Sequence, residues 1–478
     1  MISPTLEEAK KLAAGYTMIP VALEIFSDQK TPIEVLRSVK AKGERCFILE
    51  SVGGGDSWGR YSFLGYKPVK TISSADAWHS TSREKNPVSI IKELISQYTS
   101  PRVTGLPPFT GGFVGYFSYD FARYFIEGLE LSAQDVEGFR DYHLMLIDKV
   151  IVFDHFKQKI NIIVNIPADN LEENYIKGVT ELKDMEQLIL SPAPGKDTPS
   201  ICGEFSPMFT REEFHEKVLK VKERIVEGDI FQAVISNRFK APFKGSLINP
   251  YRVLRTINPS AYMVYMSLDD IEIACSSPET LVSLLDGEIS VFPIAGTCPR
   301  GKTKEEDAAL IEALLADEKE LAEHDMLVDL ARNDVGKVSR FGSVRVRDYR
   351  HIKRLSHVSH ITSHVTGEAR DDTSVMDIIA AAIPAGTLSG APKKRACQII
   401  DEVEGVRRGI YGGAIGYIDF AGNMDMCIGI RLAVLKDGNV FVQAGAGIVA
   451  DSDPEKEYLE VQNKARAVME ALRRSGEV

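Results

Sequence analysis

Apolar residues three and four apart predict helices over 32–42 and 171–190. A third helix carries more signals. Thr210 caps it, Glu213 completes a capping box, Phe214, Val218, Val221 and Ile225 form its stripe, and Gly228 ends it. Thr303 and Glu306 mark another start, for a helix running to about Arg332, and Asp453-Pro454-Glu455 opens a last one over 454–474. Between them lie β-branched and aromatic runs. Residues 142–153 and 160–166, parted by a polar stretch, predict an antiparallel hairpin, and 230–239, 412–418, 426–434 and 440–444 read as further strands. Helices and strands do not alternate regularly, so the pattern predicts an α+β fold.

The segment 191–200, rich in Pro, Ser and Gly, reads as a linker. It divides an N-terminal region, 1–203, from a longer C-terminal domain, 204–478. The net charge of −11 argues against a nucleic-acid partner, whose phosphates demand excess Lys and Arg. No run of about 18 apolar residues predicts a membrane span. The N-terminus holds no signal-like apolar stretch, and the six cysteines are scattered without a C-x-x-C pair. Both point to a cytoplasmic protein with free thiols.

Residues 292–301 pack two Gly, two Pro and an Arg after a strand-like run, a turn suited to an anion. Gly296 to Thr303 also fits the phosphate-loop pattern. A true phosphate loop opens its helix at the Gly-Lys-Thr, whereas here Thr303 caps a helix that starts after it, and Pro299 removes a donor. Nucleotide hydrolysis is therefore the weaker reading. Glu320 and Glu323 are three apart on one predicted helix, on a stripe shared with Ala313, Ala316, Leu327 and Ala331. Glu457 and Glu460 repeat the spacing on another, with Lys464 one turn on. Either they are surface acids in salt bridges or, facing one another, they form an all-oxygen site for a hard cation such as Mg2+. Arg431 is either a fork for a carboxylate or an ion-paired strand residue. Glycine turns at 386–390, 412–413 and 445–447 offer backbone donors. His357, His360 and His364 lie on a strand-like run, where only His360 and His364 share a face, a poor zinc pattern.

As a set, six motifs resemble the chorismate-utilising enzymes, most closely their anthranilate-forming branch. They are Gly-Asp-Ile-Phe-Gln-Ala-Val (228–234), Ser-Ser-Pro-Glu-Thr (276–280), Phe-Pro-Ile-Ala-Gly-Thr (292–297), Glu-His-Asp-Met-Leu-Val-Asp-Leu-Ala-Arg-Asn-Asp (323–334), Gly-Thr-Leu-Ser-Gly-Ala-Pro-Lys (386–393) and Gln-Ala-Gly-Ala-Gly-Ile-Val (443–449). The match is nearly continuous from 210 to 471 and thinner before it.

The resemblance implies two stacked, mainly antiparallel sheets flanked by helices. It implies a lyase of tryptophan biosynthesis in which ammonia adds to C2 of chorismate and pyruvate then leaves. Glu323 and Glu460 match the family's Mg2+ ligands, with Glu320 and Glu457 nearby. Glu279, His360, Thr387 and Gln232 match catalytic positions, with Glu279 protonating the departing C4 hydroxyl. Gly296, Thr297, Tyr411, Arg431, Gly445, Ala446, Gly447 and Lys464 match positions that hold the substrate. Gln232 stands where water-adding members carry a Lys base, and Ala295 where aminodeoxychorismate-forming members often carry a Lys nucleophile. Ser51, Ala261, Tyr262 and Met263 match an effector site for L-tryptophan as inhibitor, although the family usually has Pro at the place of Ala261 and Arg at that of Cys298. No cysteine sits in a defensible amidotransferase setting, so a separate glutamine amidotransferase subunit, in a heterotetramer, is the implied partner. The rival readings are an aminodeoxychorismate-forming member and a catalytically silent tryptophan sensor.

Overall fold

The computed structural model describes residues 2–51, 59–76, 86–192, 195, 199–354 and 358–478; His357 falls outside them. The described residues build two large antiparallel sheets, of 14 and 10 strands, flanked by helices, in line with the α+β expectation. The larger sheet runs from Met18–Phe26 through Lys149–Asp154, Cys46–Glu50, Tyr262–Ser267, Ile271–Ser277 and Leu432–Lys436 to Asn439–Ile448 and Gln232–Lys244. The smaller runs from Ile294–Pro299 and Val358–Glu368 through Thr280–Leu285, Met424–Ile428 and Gly112–Phe117 to Tyr142–Ile147. Both sheets take strands from either side of segment 191–200.

Several chain segments leave one sheet and enter the other, and they cross in pairs. Tyr61–Tyr66 and Lys149–Asp154 pair in the larger sheet, while the adjoining Lys70–Ser73 and Tyr142–Ile147 pair in the smaller. Likewise Ile271–Ser277 pairs with Leu432–Lys436 in the larger, and Thr280–Leu285 with Met424–Ile428 in the smaller. These crossings correct two expectations. The single strand read over 142–153 is split at Asp148, and only its second half forms the hairpin with Lys159–Pro167. The strand read over 426–434 is split at 429–431, so Arg431 lies at a crossing and not in mid-strand. Apolar runs buried on both faces look alike whichever sheet they join, so periodicity does not mark the bend.

Three further expectations change. The helix read from 303 to 332 is two, Lys304–Ala316 and Glu318–Gly336. Asp317 breaks it, because its carboxylate accepts the Lys319 and Glu320 amides at 2.9 and 3.2 Å and so caps a new helix. The break turns Ala313 and Ala316 to solvent, away from the acids' face, while Leu327 and Ala331 are buried. The Thr303 box is only half formed, since the Glu306 carboxylate accepts from the Lys302 amide. Residues 294–299 are not a turn but an edge strand, bulged between Ala295 and Thr297 where Gly296 takes φ +81°. The 445–447 glycines sit inside the strand Asn439–Ile448.

The helix Arg211–Val226 has the full capping box expected, and buries Phe214, Val218 and Val221. Pro454–Arg473 starts at the Asp453 cap and buries Val461, Ala465, Val468 and Leu472. One main apolar core runs between and beneath the sheets, drawing on strands of both.

Candidate active site

The paired crossing of 271–285 with 424–436 opens into a cleft of about 2070 Å³. At the bends the two segments still bond to each other. Ser276 N–H donates to the Arg431 carbonyl at 3.1 Å, and Ile428 N–H to the Glu279 carbonyl at 3.0 Å. Glu279 and Arg431 therefore emerge side by side. Arg431 takes φ +50°, a strained backbone state for a non-glycine that the bend imposes.

Burial holds the Glu279 carboxyl up at about 7, against the pull of a Thr387 hydroxyl donating at 3.0 Å and the charges of Lys464 and Arg431. Thr387 lies in the 3-10 turn Gly386–Leu388. Across the cleft His360 Nδ1 is 2.8 Å from the Thr297 hydroxyl, on neighbouring strands. Burial, then Arg431, lowers the His360 pKa, so the ring is neutral near neutral pH. His364 turns to Ser290 and stacks on Phe292 instead, which removes it from the site.

Gln232, Tyr411, Gly445 and Gly447 form another wall. A Cβ on Gly447 would stand 2.6 Å from Gln232 Nε2, and one on Gly445 would stand 2.9 Å from the Tyr411 hydroxyl. Both positions need glycine so that a cleft side chain can lie on the strand. Ala446, between them, is fully buried in the core, so its side chain does not line the cleft.

Two helices bring acids to the third wall: Glu320 and Glu323 from Glu318–Gly336, Glu457 and Glu460 from Pro454–Arg473. Burial first, and Glu320 second, raises the Glu323 pKa, with Glu460 adding to it; burial and Glu460 do the same to Glu457. The groups thus sense one another's charge across the helix pair. Lys464 Nζ is 2.7 Å from Glu460 and donates to the Gly445 carbonyl at 3.1 Å. Among the described residues no three His, Cys, Asp or Glu side chains are disposed to hold a metal by themselves. Magnesium is different: it keeps several waters and takes one or two carboxylates plus oxygens of the substrate. The oxygen-only set, with the part-buried Glu323 set between the charges of Glu320 and Glu460, fits that ion.

Thirteen of the residues matched to substrate, metal and catalysis line this cleft: Gln232, Glu279, Gly296, Thr297, Glu323, His360, Thr387, Tyr411, Arg431, Gly445, Gly447, Glu460 and Lys464; the nearby Glu320 and Glu457 line it too. Lys319, Met326, Lys353 and Gln443, to which the sequence assigns no role, also line it. Lys319 and Met326 stand four before and three after Glu323 on one helix, so helix spacing could have found them, whereas Lys353 and Gln443 reach the cleft through long-range packing. Of the effector candidates only Ala261 lines the cleft; Met263 is buried and pairs with Glu50, the residue before Ser51. Ser51 Oγ is buried with no hydrogen bond to a described residue.

A family model described as chorismate binding enzyme matches residues 44–470. Anthranilate synthase component 1 of Acetivibrio thermocellus is 46% identical, with all of both chains covered. The Aquifex aeolicus protein of that name is 45% identical over 98% of this chain and 97% of its own. The crystal structure of anthranilate synthase component I from Streptococcus pneumoniae TIGR4 superposes with a TM-score of 0.77 at 35% identity, covering 93% of this chain and 98% of that one. A cleft built by paired crossings, the six motifs that line it and these full-length likenesses agree: the chain belongs to the chorismate-binding enzymes, on their anthranilate synthase component 1 branch.

Proposed function

We propose that the C-terminal domain converts chorismate and ammonia to anthranilate, pyruvate and water. The observation that carries this reading is Glu279, a buried carboxyl with its pKa raised to about 7, held by Thr387 and facing the charge of Arg431. Nitrogen forms a bond to C2, the ring π electrons shift, and the C4–O bond breaks. Glu279 protonates the departing hydroxyl, which leaves as water. The ring proton at C2 is then lost and the enolpyruvyl group departs as pyruvate, leaving the aromatic amine. Thr387 orients Glu279 by its hydrogen bond. Arg431, Tyr411 and Lys464, with the backbone at 296–297 and 445–447, hold the carboxylates. His360, neutral and fixed by Thr297, is placed to take up a proton. Glu323 and Glu460 would hold a magnesium ion, with Glu320 and Glu457 beside them; when bound, it neutralises the ring carboxylate.

Two residues support amination over the alternatives. A Gln232 amide does not deprotonate water, and Ala295 supplies no amine to attack the ring. A glutamine amidotransferase subunit, in a heterotetramer, would supply the ammonia. Five of the chain's six cysteines are buried and all are free, in keeping with a reducing, cytoplasmic setting. In the N-terminal region and its neighbouring strand, Ser51, Ala261, Tyr262 and Met263 form the site for inhibitory tryptophan. Ser51→Ala is expected to weaken inhibition without changing uninhibited turnover; an unchanged inhibition curve removes this assignment.

The test is product identity. The pure chain with chorismate, Mg2+ and ammonium salt is expected to give fluorescent anthranilate and one pyruvate per turnover. A product that keeps its enolpyruvyl group contradicts the reading and favours aminodeoxychorismate formation.

A further inference from the structure

The crossing that presents Glu279 and Arg431 is tied by three side chains outside the cleft's catalytic set. The Tyr262 hydroxyl donates to Asp425 Oδ1 at 2.7 Å and lies 2.8 Å from the Thr280 hydroxyl. Tyr262 belongs to the larger sheet, where it pairs with Ser277. Thr280 and Asp425 belong to the smaller sheet, one on each of the two crossing segments. The bond pattern is complete: the phenol has one proton for the carboxylate, and its oxygen accepts from Thr280. Three strands and both sheets thus meet at one hydroxyl.

Thr280 directly follows Glu279. It opens the strand Thr280–Leu285, so a fixed Thr280 anchors the backbone that leads directly out of Glu279. Asp425 is three residues before Ile428, whose N–H holds the Glu279 carbonyl, and six before Arg431. Burial raises the Asp425 pKa to about 6, a cost that its bond from Tyr262 partly offsets. Met263, the next residue, pairs with Glu50 beside Ser51, so the same clip adjoins the segments assigned to the effector.

We propose that the Tyr262 hydroxyl, gripped by Thr280 and Asp425, is a cross-sheet clip that sets how Glu279 and Arg431 enter the cleft. Thr280 and Asp425 are its positioning residues. The inference rests on the reading of Glu279 as proton donor. A misplacement of about 1 Å costs on the order of 100-fold in rate, so a loosened clip is expected to cost about tenfold.

The experiment compares Thr280→Val, Thr280→Ser and Tyr262→Phe with the parent enzyme at saturating Mg2+ and ammonium, recording kcat, KM for chorismate and the pH profile of kcat. Thr280→Val and Tyr262→Phe are expected to lower kcat about tenfold, a partial release of the full misplacement cost, with KM changed far less. Their falling limb moves to lower pH, because water admitted at the bend relieves the burial that raises the Glu279 pKa. Thr280→Ser, which keeps the hydroxyl, restores both. If Thr280→Val fails to fold, Tyr262→Phe, which deletes one oxygen, gives the same readout. Parent-like kcat and pH limb in the folded variants overturn the proposal. So does a Thr280→Ser as impaired as Thr280→Val, which would mean that volume and not the hydroxyl matters. In those cases the role of Glu279 still stands. Undiminished turnover in Glu279→Gln would instead remove the residue that the clip serves.

Discussion

At the residue scale, Glu279 shows how environment makes an ordinary carboxylate useful. An exposed glutamate is ionised at neutral pH and has no proton to give. Here burial lifts the pKa to about 7, more than Thr387, Lys464 and Arg431 pull it down. The sign follows directly. In the proposed role the protonated form is the acid, so turnover is expected to be full below about 7 and to be lost as pH rises through it. Glu279→Gln is expected to reduce kcat by about 100- to 10,000-fold, the usual worth of a general acid, and to erase that limb. A variant within threefold of the parent would deny the role. The motif Ser-Ser-Pro-Glu-Thr singled out Glu279 in the sequence. Its raised pKa was not legible there, because burial is a property of the assembled cleft, whose Thr387 partner lies 108 residues away on the chain.

At the element scale, caps were legible and crossings were not. Thr210, Glu213 and Asp453 mark helix starts by local chemistry, and the helices begin where those residues predict. Asp317 is equally local, but the periodicity on both sides ran through it and hid the break. Its carboxylate satisfies two amides at the start of the helix that carries Glu320 and Glu323. Asp317→Ala is expected to cost about 1 kcal/mol of stability, the usual worth of an N-cap, read by denaturant titration. It is also expected to weaken Mg2+ binding, because the first turn bearing Glu320 frays. No change in either quantity would mean that the helix is held by packing alone. The edge strand Arg345–Arg354 illustrates a different local rule. Among the described residues it pairs only with Val358–Glu368, is bulged between Arg347 and His351, and exposes Arg345, Arg347 and Arg354. Charge and a bulge on a free edge discourage pairing with another chain.

At the scale of the whole molecule, the site depends on a buried ion pair beneath it. Arg408 and Glu404 are almost completely enclosed, bonded at 2.8 Å and 2.6 Å. Arg408 also donates to the carbonyls of Leu388 and Val234, and Glu404 accepts from Ser236 N–H and Oγ. The pair thereby joins the Thr387 turn to the strand that carries Gln232. Arg408→Met leaves Glu404 charged and alone, and is expected to cost about 3–5 kcal/mol in denaturant unfolding. The double variant with Glu404→Leu should cost less than the single, since no lone charge remains; a harmless single variant would contradict this. Nothing local in the sequence marks this pair as buried, although the residues are only four apart on the chain. Burial of an ion pair is a property of the assembled sheets.

In the proposed reaction, acids from two helices far apart in the chain converge on one divalent cation in the cleft that Glu279 also lines. Manganese, which shares magnesium's preference for oxygen ligands, can replace it in a crystal grown with chorismate and locate the ion by its anomalous signal. The account predicts one peak in the cleft, with Glu323 and Glu460 carboxylate oxygens at about 2.0–2.2 Å. A peak elsewhere, or none at saturating manganese, would contradict it.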